Sequence, residues 1–229
     1  MSKEKLQIKR RSMFGEVMVR FLRKPIAVFG AVIMIVVVAL CLLAPVIAPY
    51  DIDAQDITRK FTEPSQEFIC GTDNLGRDIF SRLLYGGRIS LMVGFVSASI
   101  AAILGVILGA IAAFYGKRTD NIIMRILDVF MALPQMLLAI AISAMIGTGI
   151  KGAIIAVTVA TIPRYAQAVR GPILSIRNQE FVEAAFAIDA KDSRIVLRHI
   201  LPNVLSPIIV QVTMGVGNAI TMAASLSFI

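Results

Sequence analysis

The sequence predicts an all-α, polytopic membrane protein with about five transmembrane helices. Of its 229 residues, 57% are hydrophobic and only 17% are charged, and the mean hydropathy is +0.80. An ordinary soluble domain is about 45–50% apolar and about 25% charged. This composition argues against a disordered chain, a disulfide-stapled secreted domain and a water-soluble enzyme, and favours a bundle of membrane helices.

Five apolar stretches approach or exceed the roughly 20 residues that a helix needs to cross the hydrocarbon core. The first follows a basic segment, residues 1–25, and is longer than the core of a cleaved signal peptide, so we interpret it as an uncleaved signal anchor. Pro163 and Arg164 make the fourth stretch the weakest. The predicted helices cover residues 26–48, 89–116, 129–150, 152–169 and 204–222.

The charges predict that the N-terminus is cytoplasmic. With that orientation the inner segments, 1–25, 117–128 and 164–203, hold 17 Lys and Arg against 8 Asp and Glu. The outer segments, 49–88 and 147–151, hold 6 basic and 7 acidic residues. This bias follows the positive-inside rule and accounts for the net charge of +8 without a nucleic-acid partner.

The second predicted span carries small residues at helical spacing, including Gly105 and Gly109. Such faces let membrane helices approach closely, so we expect packing within the chain, with homodimerisation as the alternative. No predicted span contains an acidic residue. Because carriers driven by protons or ions usually place ionisable groups inside the membrane, this argues against secondary transport.

The outer loop, residues 49–88, holds a turn-rich motif, and residues 79–85 are predicted to form a short interfacial helix. The loop is either a structural cap over the helices or a docking surface for an outer partner. The motif residues are Gly71, Thr72, Asp73, Gly76, Arg77 and Asp78.

The inner loop, residues 171–203, is predicted to form two short helices that end at Pro202 and Asn203. Phe181, Ala184, Ala185 and Ile188 recur at helical spacing and form one apolar face. An exposed apolar face favours a docking site for a protein partner. The alternatives are a helix folded back on its own bundle or lying on the lipid surface.

Several separated motifs resemble those of ABC importer permeases. Glu183-Ala184-Ala185 followed by His199-Ile200-Leu201-Pro202-Asn203 is similar to the EAA loop of that family. The outer motif narrows the resemblance to C-type permeases of dipeptide, oligopeptide and nickel importers. Two departures are Asp189, where the family has glycine, and Ala223, where it usually has an acidic residue. The family also continues with a further helix, so we expect this chain to lack that C-terminal helix.

The resemblance implies a type I ABC importer permease fold with a cytoplasmic coupling hairpin, placed in a bacterial or archaeal plasma membrane. It implies a second permease, two cytoplasmic ATPases that bind ATP-Mg, and an outer solute-binding protein. Glu183 is expected to cap its helix or pair with an ATPase cation, while Ala184 and Ala185 allow close approach. The other expected coupling-loop residues are Phe181, Phe186, Asp189, His199, Leu201, Pro202 and Asn203.

The predicted function is therefore half of an ATP-driven translocation path for dipeptides or oligopeptides. The chain has no Gly-x-x-x-x-Gly-Lys-Ser/Thr phosphate loop, so we expect no ATPase site and no bound cofactor on it. It has one histidine and two distant cysteines without metal-ligand spacing, so we expect no metal site. The alternatives are import of nickel or another small solute, a truncated assembly subunit that does not transport, and a proton-coupled carrier. A membrane enzyme is the least favoured reading.

Overall fold

The computed structural model describes residues 18–19, 21–147 and 149–227, and these are helices joined by one long loop. The chain divides into two compact units, Met1–Arg88 and Ile89–Ile229. The polytopic helical fold predicted from composition is confirmed. The helices are α1 Pro25–Leu42, α2 Ala44–Ile47, α3 Ile79–Tyr115, α4 Lys117–Met131, α5 Gln135–Ile146, α6 Ile150–Arg177, α7 Glu180–Ala187 and α8 Asp192–Ser227.

Four of these helices, α1, α3, α6 and α8, are long and apolar enough to cross a membrane, and the α4–α5 pair adds a fifth if it is one broken span. The third span was predicted as one helix over 129–150. Instead, α4 and α5 meet at an angle of 87°. Pro134 explains the break, because proline has no N–H to donate and pushes the residue before it out of the helical region.

The second span is longer than predicted. Residues 79–85 do not form a separate interfacial helix but begin α3, which runs without a break to Tyr115. The basis is a side-chain cap: Asp78 Oδ2 accepts hydrogen bonds from the Ser81 N–H at 2.8 Å and the Ser81 hydroxyl at 2.6 Å. A capped first turn allows the helix to start in the outer loop.

Prolines were expected to interrupt the fourth span and to end the inner loop, and they do neither. Pro163 and Pro172 lie inside α6, which extends to Arg177. α8 begins at Asp192 and passes Pro202 through a π-helical turn, Ile195–Ile200, and a 3-10 turn, Leu201–Val204. The wider π-helical turn and the tighter 3-10 turn let the helix continue although Pro202 has no N–H to donate.

Within the second unit, α3 and α6 pack backbone to backbone. A Cβ placed on Gly105 would lie 2.5 Å from Tyr165 Cβ, and one on Gly109 would lie 2.5 Å from the Ala166 carbonyl oxygen. The small face of α3 is therefore used for packing within the chain, as the sequence predicted. One buried cluster extends from this contact into the inner loop; it comprises Ala110, Ala113, Phe114, Val169, Ile173, Val182, Ala185, Ile195, Ile200 and Val204.

Candidate functional site: the inner loop and the outer turn

The inner loop is anchored to the bundle by one side of α7 and the start of α8. Val182 and Ala185 are 0% and 5% exposed and belong to the cluster that includes Ile173 and Ile195. Phe186 stacks on Phe114 of α3 with ring centroids 5.8 Å apart. Helix α7 is thus packed against the C-terminal ends of α3 and α6.

The other side of α7 and the turn after it are exposed. Phe181 is 41% exposed, Ile188 78% and Leu197 66%. A shallow groove of about 430 Å³ lies between the turn after α7 and the start of α8, and its lining includes Ile188, Asp189, Lys191, Arg194 and Leu197. An apolar surface beside two cations and a carboxylate suits a protein partner that offers apolar side chains and charged groups.

This division corrects the face predicted from the sequence. Ala185 does not lie on the exposed face with Phe181 and Ile188 but is buried against the chain's own core. It therefore is not positioned to let an ATPase approach. Ala184 is exposed, as that role requires. Phe181 and Phe186, also expected in the coupling loop, are each 41% exposed, and Phe186 already has Phe114 as a partner.

The remaining predicted residues of the inner loop lie in the first turn of α7 and in the turns around Pro202. Glu183 lies in the first turn of α7, whose N-cap residue Gln179 makes no side-chain hydrogen bond. Its position suits the positive end of the helix dipole. Asn203 donates from its side-chain amide to the His199 carbonyl at 2.6 Å, and Leu201 and Pro202 form the 3-10 turn with it.

Asp189 occupies the family's glycine position and adopts the left-handed backbone that a glycine would favour, with φ of +52°. The turn closes with hydrogen bonds from the Asp189 N–H to the Phe186 carbonyl at 3.0 Å and from the Ala190 N–H to the Ala185 carbonyl at 3.2 Å. Aspartate tolerates this region better than most residues do. The substitution therefore preserves the turn.

We predict that Asp189→Gly stabilises this turn by about 0.5–1 kcal/mol, whereas Asp189→Val destabilises it by about 1–3 kcal/mol, because a β-branched residue resists positive φ. Hydrogen exchange of residues 186–192 in the detergent-purified chain measures both changes. Equal protection in the two variants would contradict this assignment.

Arg170 of α6 forms a bidentate ion pair with Asp120 of α4, which sequence reasoning did not connect. The Arg170 Nε–Asp120 Oδ1 and Nη2–Oδ2 distances are 2.6 and 2.5 Å. A second contact joins the same helices, from Gln167 Nε2 to Asp128 Oδ1 at 3.3 Å. The two positions are 50 residues apart, so the sequence carries no local signal for this pairing.

The outer motif is a structural turn in the first unit. Asp73 Oδ1 accepts from the Leu75 N–H at 2.8 Å and the Arg77 N–H at 3.0 Å, and its Oδ2 pairs with Arg77 Nε at 2.8 Å. Thr72 and Asp78 are each 4% exposed and form an isolated antiparallel bridge. These contacts give the motif a structural role within the outer loop itself.

Both glycines of this motif have φ of +73°. A Cβ on Gly71 would lie 2.5 Å from the Thr62 carbonyl oxygen, and one on Gly76 would overlap the Asp56 carbonyl. Only glycine satisfies both the backbone region and the close approach. The motif therefore holds residues 56–62 against the turn that precedes α3.

We predict that Asp73 stabilises the outer loop in a pH-dependent way. Burial raises the pKa of Asp73, but the hydrogen bonds from Arg77 and Leu75 and the Arg77 charge outweigh it, so the folded pKa is below the usual value. The stabilisation is therefore complete above about pH 4 and is lost as the pH falls through the lowered pKa.

Asp73→Asn should cost about 1–2 kcal/mol at pH 7 and progressively less in acid. The measurement is hydrogen exchange of residues 61–79 in both proteins across this range, corrected for the intrinsic exchange rate. A difference between the proteins that is constant with pH would refute the role of the Asp73 charge.

Comparison with known proteins decides the family. The model for binding-protein-dependent transport system inner membrane components matches residues 105–229, which include α6, the inner loop and α8. The chain belongs to this family, and it is a permease of the ABC importer class. A second family, the N-terminal transmembrane domain of oligopeptide transport permease C, matches residues 12–64.

Curated relatives of this permease are more than one third identical to it over the aligned residues. A dipeptide transport system permease protein of Alkalihalophilus pseudofirmus is 41% identical over 207 residues, 90% of this chain and 68% of the relative. An oligopeptide permease of Bacillus subtilis is 37% identical over 226 residues, 99% of this chain and 74% of the relative. A glutathione permease of Escherichia coli is 44% identical over 211 residues, which are 92% of this chain and 70% of the relative.

Proposed function

We propose that this permease forms half of a translocation path for dipeptides or short oligopeptides, driven by ATP hydrolysis on partner subunits. The carrying observation is the two-sided inner loop: Val182 and Ala185 fix it to α3 and α6, while Ile188 and Leu197 are exposed. A segment that is rigidly joined to the bundle and apolar on its outer side can transmit a partner's movement to the membrane helices.

The partners proposed are a second permease, two cytoplasmic ATPases that bind ATP-Mg, and an extracytoplasmic solute-binding protein. The chain would lie in a bacterial or archaeal plasma membrane with its N-terminus and inner loop in the cytoplasm. The basic bias of residues 1–25, 117–128 and 164–203 supports this orientation. Hydrolysis is assigned to the ATPases, because the sequence has no phosphate loop of its own.

Coupling would follow from the geometry of the inner loop. When the ATPases close, they move α7 and the first turns of α8 together, since both belong to one buried cluster with Ile173 of α6. The Asp120–Arg170 pair carries the same displacement to α4, and the bend at Pro134 lets α4 move without carrying α5 as a rigid extension. The bundle then has two arrangements, open inward or outward.

The peptide substrate is proposed from the relatives, whose names state dipeptide, oligopeptide and glutathione transport. The test is uptake of a labelled dipeptide into proteoliposomes that contain this chain, the second permease, both ATPases and the binding protein. Uptake should require ATP and persist when a protonophore collapses the proton gradient. Uptake of ⁶³Ni²⁺ but not peptide would move the proposal to nickel import, and uptake that follows the proton gradient would overturn it.

A further inference from the structure

Helix α4 has an exposed surface that the coupling mechanism does not use. Ile122, Ile126 and Val129 follow one another at spacings of four and three residues, which places them on one side of the helix. Their exposed fractions are 61%, 55% and 69%. The side chain of Leu127, on the opposite side, is buried at 5%.

The acidic and basic side chains of α4 lie on different sides of the helix. Its two carboxylates face α6, where Asp120 pairs with Arg170 and Asp128 accepts from Gln167. Its three cations, Lys117, Arg118 and Arg125, are exposed. Arg118 and Arg125 lie two turns apart and flank the apolar row on the same side, since 3.6 residues make one turn.

The position of α4 in the chain places it at a membrane surface. It begins two residues after Tyr115, the end of the long apolar helix α3, and the chain turns there through Gly116 and Lys117, both with positive φ. The apolar helix α5 leaves it at 87°. If α5 enters the membrane along the normal, α4 lies nearly parallel to the membrane plane.

From this geometry we propose that α4 is an interfacial helix that binds anionic phospholipid head groups through Arg118 and Arg125. Ile122, Ile126 and Val129 insert at the boundary between head groups and acyl chains. An in-plane helix with an apolar row and flanking arginines is suited to this location, because the arginine stems reach along the apolar row while the guanidinium groups pair with phosphate. With the orientation proposed above, α4 would lie in the cytoplasmic leaflet. The contact with lipid itself does not depend on that orientation.

The first test titrates the detergent-purified full chain with phosphatidylglycerol or phosphatidylcholine and follows lipid adducts by native mass spectrometry. A cation near an anionic lipid surface contributes about fivefold in affinity, so Arg118→Gln/Arg125→Gln should lose about 25-fold of the preference for phosphatidylglycerol. The matched control, Arg194→Gln/Arg198→Gln, removes the same charge from α8 and should retain the preference. Retention in the α4 variant, or equal loss in both variants, would overturn the proposal.

The second test measures depth and does not depend on transport. Nitroxide labels are attached at Ile126→Cys and at Asn121→Cys, in a background of Cys41→Ala and Cys70→Ser, in vesicles containing phosphatidylglycerol. The label at 126 should collide more with oxygen and the label at 121 more with a water-soluble nickel chelate. A label at 126 that favours the aqueous reagent, or one shielded from both reagents as in a protein contact, would overturn the proposal.

Discussion

Replacing Gly109 with leucine is expected to prevent the permease from accumulating as a folded protein. A Cβ at this position would lie 2.5 Å from the Ala166 carbonyl oxygen and 3.1 Å from the Ala166 Cα, and backbone atoms cannot rotate away. The two helices must separate, and the buried cluster that includes Ala113 and Val169 loses its packing. Such overpacking at a backbone contact should cost at least about 3 kcal/mol, a large part of the stability of an ordinary domain.

The measurement is the yield and melting temperature of the detergent-solubilised chain, followed by fluorescence-detected size-exclusion chromatography. Gly217→Leu is the matched control, because Gly217 also lies in an apolar helix but has no atom within 4 Å of its Cβ position. The control should behave as the unchanged protein does. Equal yields and melting temperatures for the two variants would show that α3 and α6 do not pack as described.

Replacing Ile188 and Leu197 together with serine is expected to abolish ATP-driven uptake while leaving the fold intact. Both side chains are exposed, at 78% and 66%, so their loss removes little packing within the chain. If they are central contacts with an ATPase, their loss should cost about 2–4 kcal/mol of binding, a 30- to 1,000-fold fall in affinity. Peptide-stimulated ATPase activity and ATPase recovery on co-purification should fall together.

Two further variants separate docking from folding. Ile57→Ser/Ile69→Ser removes exposed side chains from the outer loop, at 66% and 56% exposure, and should leave ATPase recovery unchanged. Ala185→Arg should lower the melting temperature of the isolated chain, because it places a charge in a site that is 5% exposed. Full ATPase recovery with the Ile188/Leu197 variant would rule out this surface as the docking site.

Much of the fold follows from the sequence because membrane helices depend on composition over long windows. Composition does not predict which prolines break a helix. Pro163 and Pro134 carry the same local penalty, yet α6 continues through Pro163, whereas α4 and α5 separate at Pro134. α6 is buried among its neighbours at Pro163, and tertiary packing can stabilise a helix whose local hydrogen bonding is incomplete.

The sequence predicted the position of the inner loop but not which side of α7 is buried. Helical spacing placed Ala185 with Phe181 and Ile188, because residues three and four apart share a side of a helix. These residues cover too wide an arc of the helix to show which edge is buried. Packing against α3 residues such as Phe114, far away in the sequence, selects Val182 and Ala185 as the buried residues. The sequence marked Asp189 only as a departure from the family's glycine, and the structure gives it a left-handed backbone.

The most direct test of the coupling role is photocrosslinking in membranes that contain the assembled transporter. A benzophenone amino acid is placed singly at position 188, at position 197 and, as an outer-loop control, at Phe61, which is 72% exposed. We expect adducts with the ATPase subunit at positions 188 and 197 and none at position 61. ATPase adducts absent from both inner positions, with the subunit present in the same membranes, would contradict it.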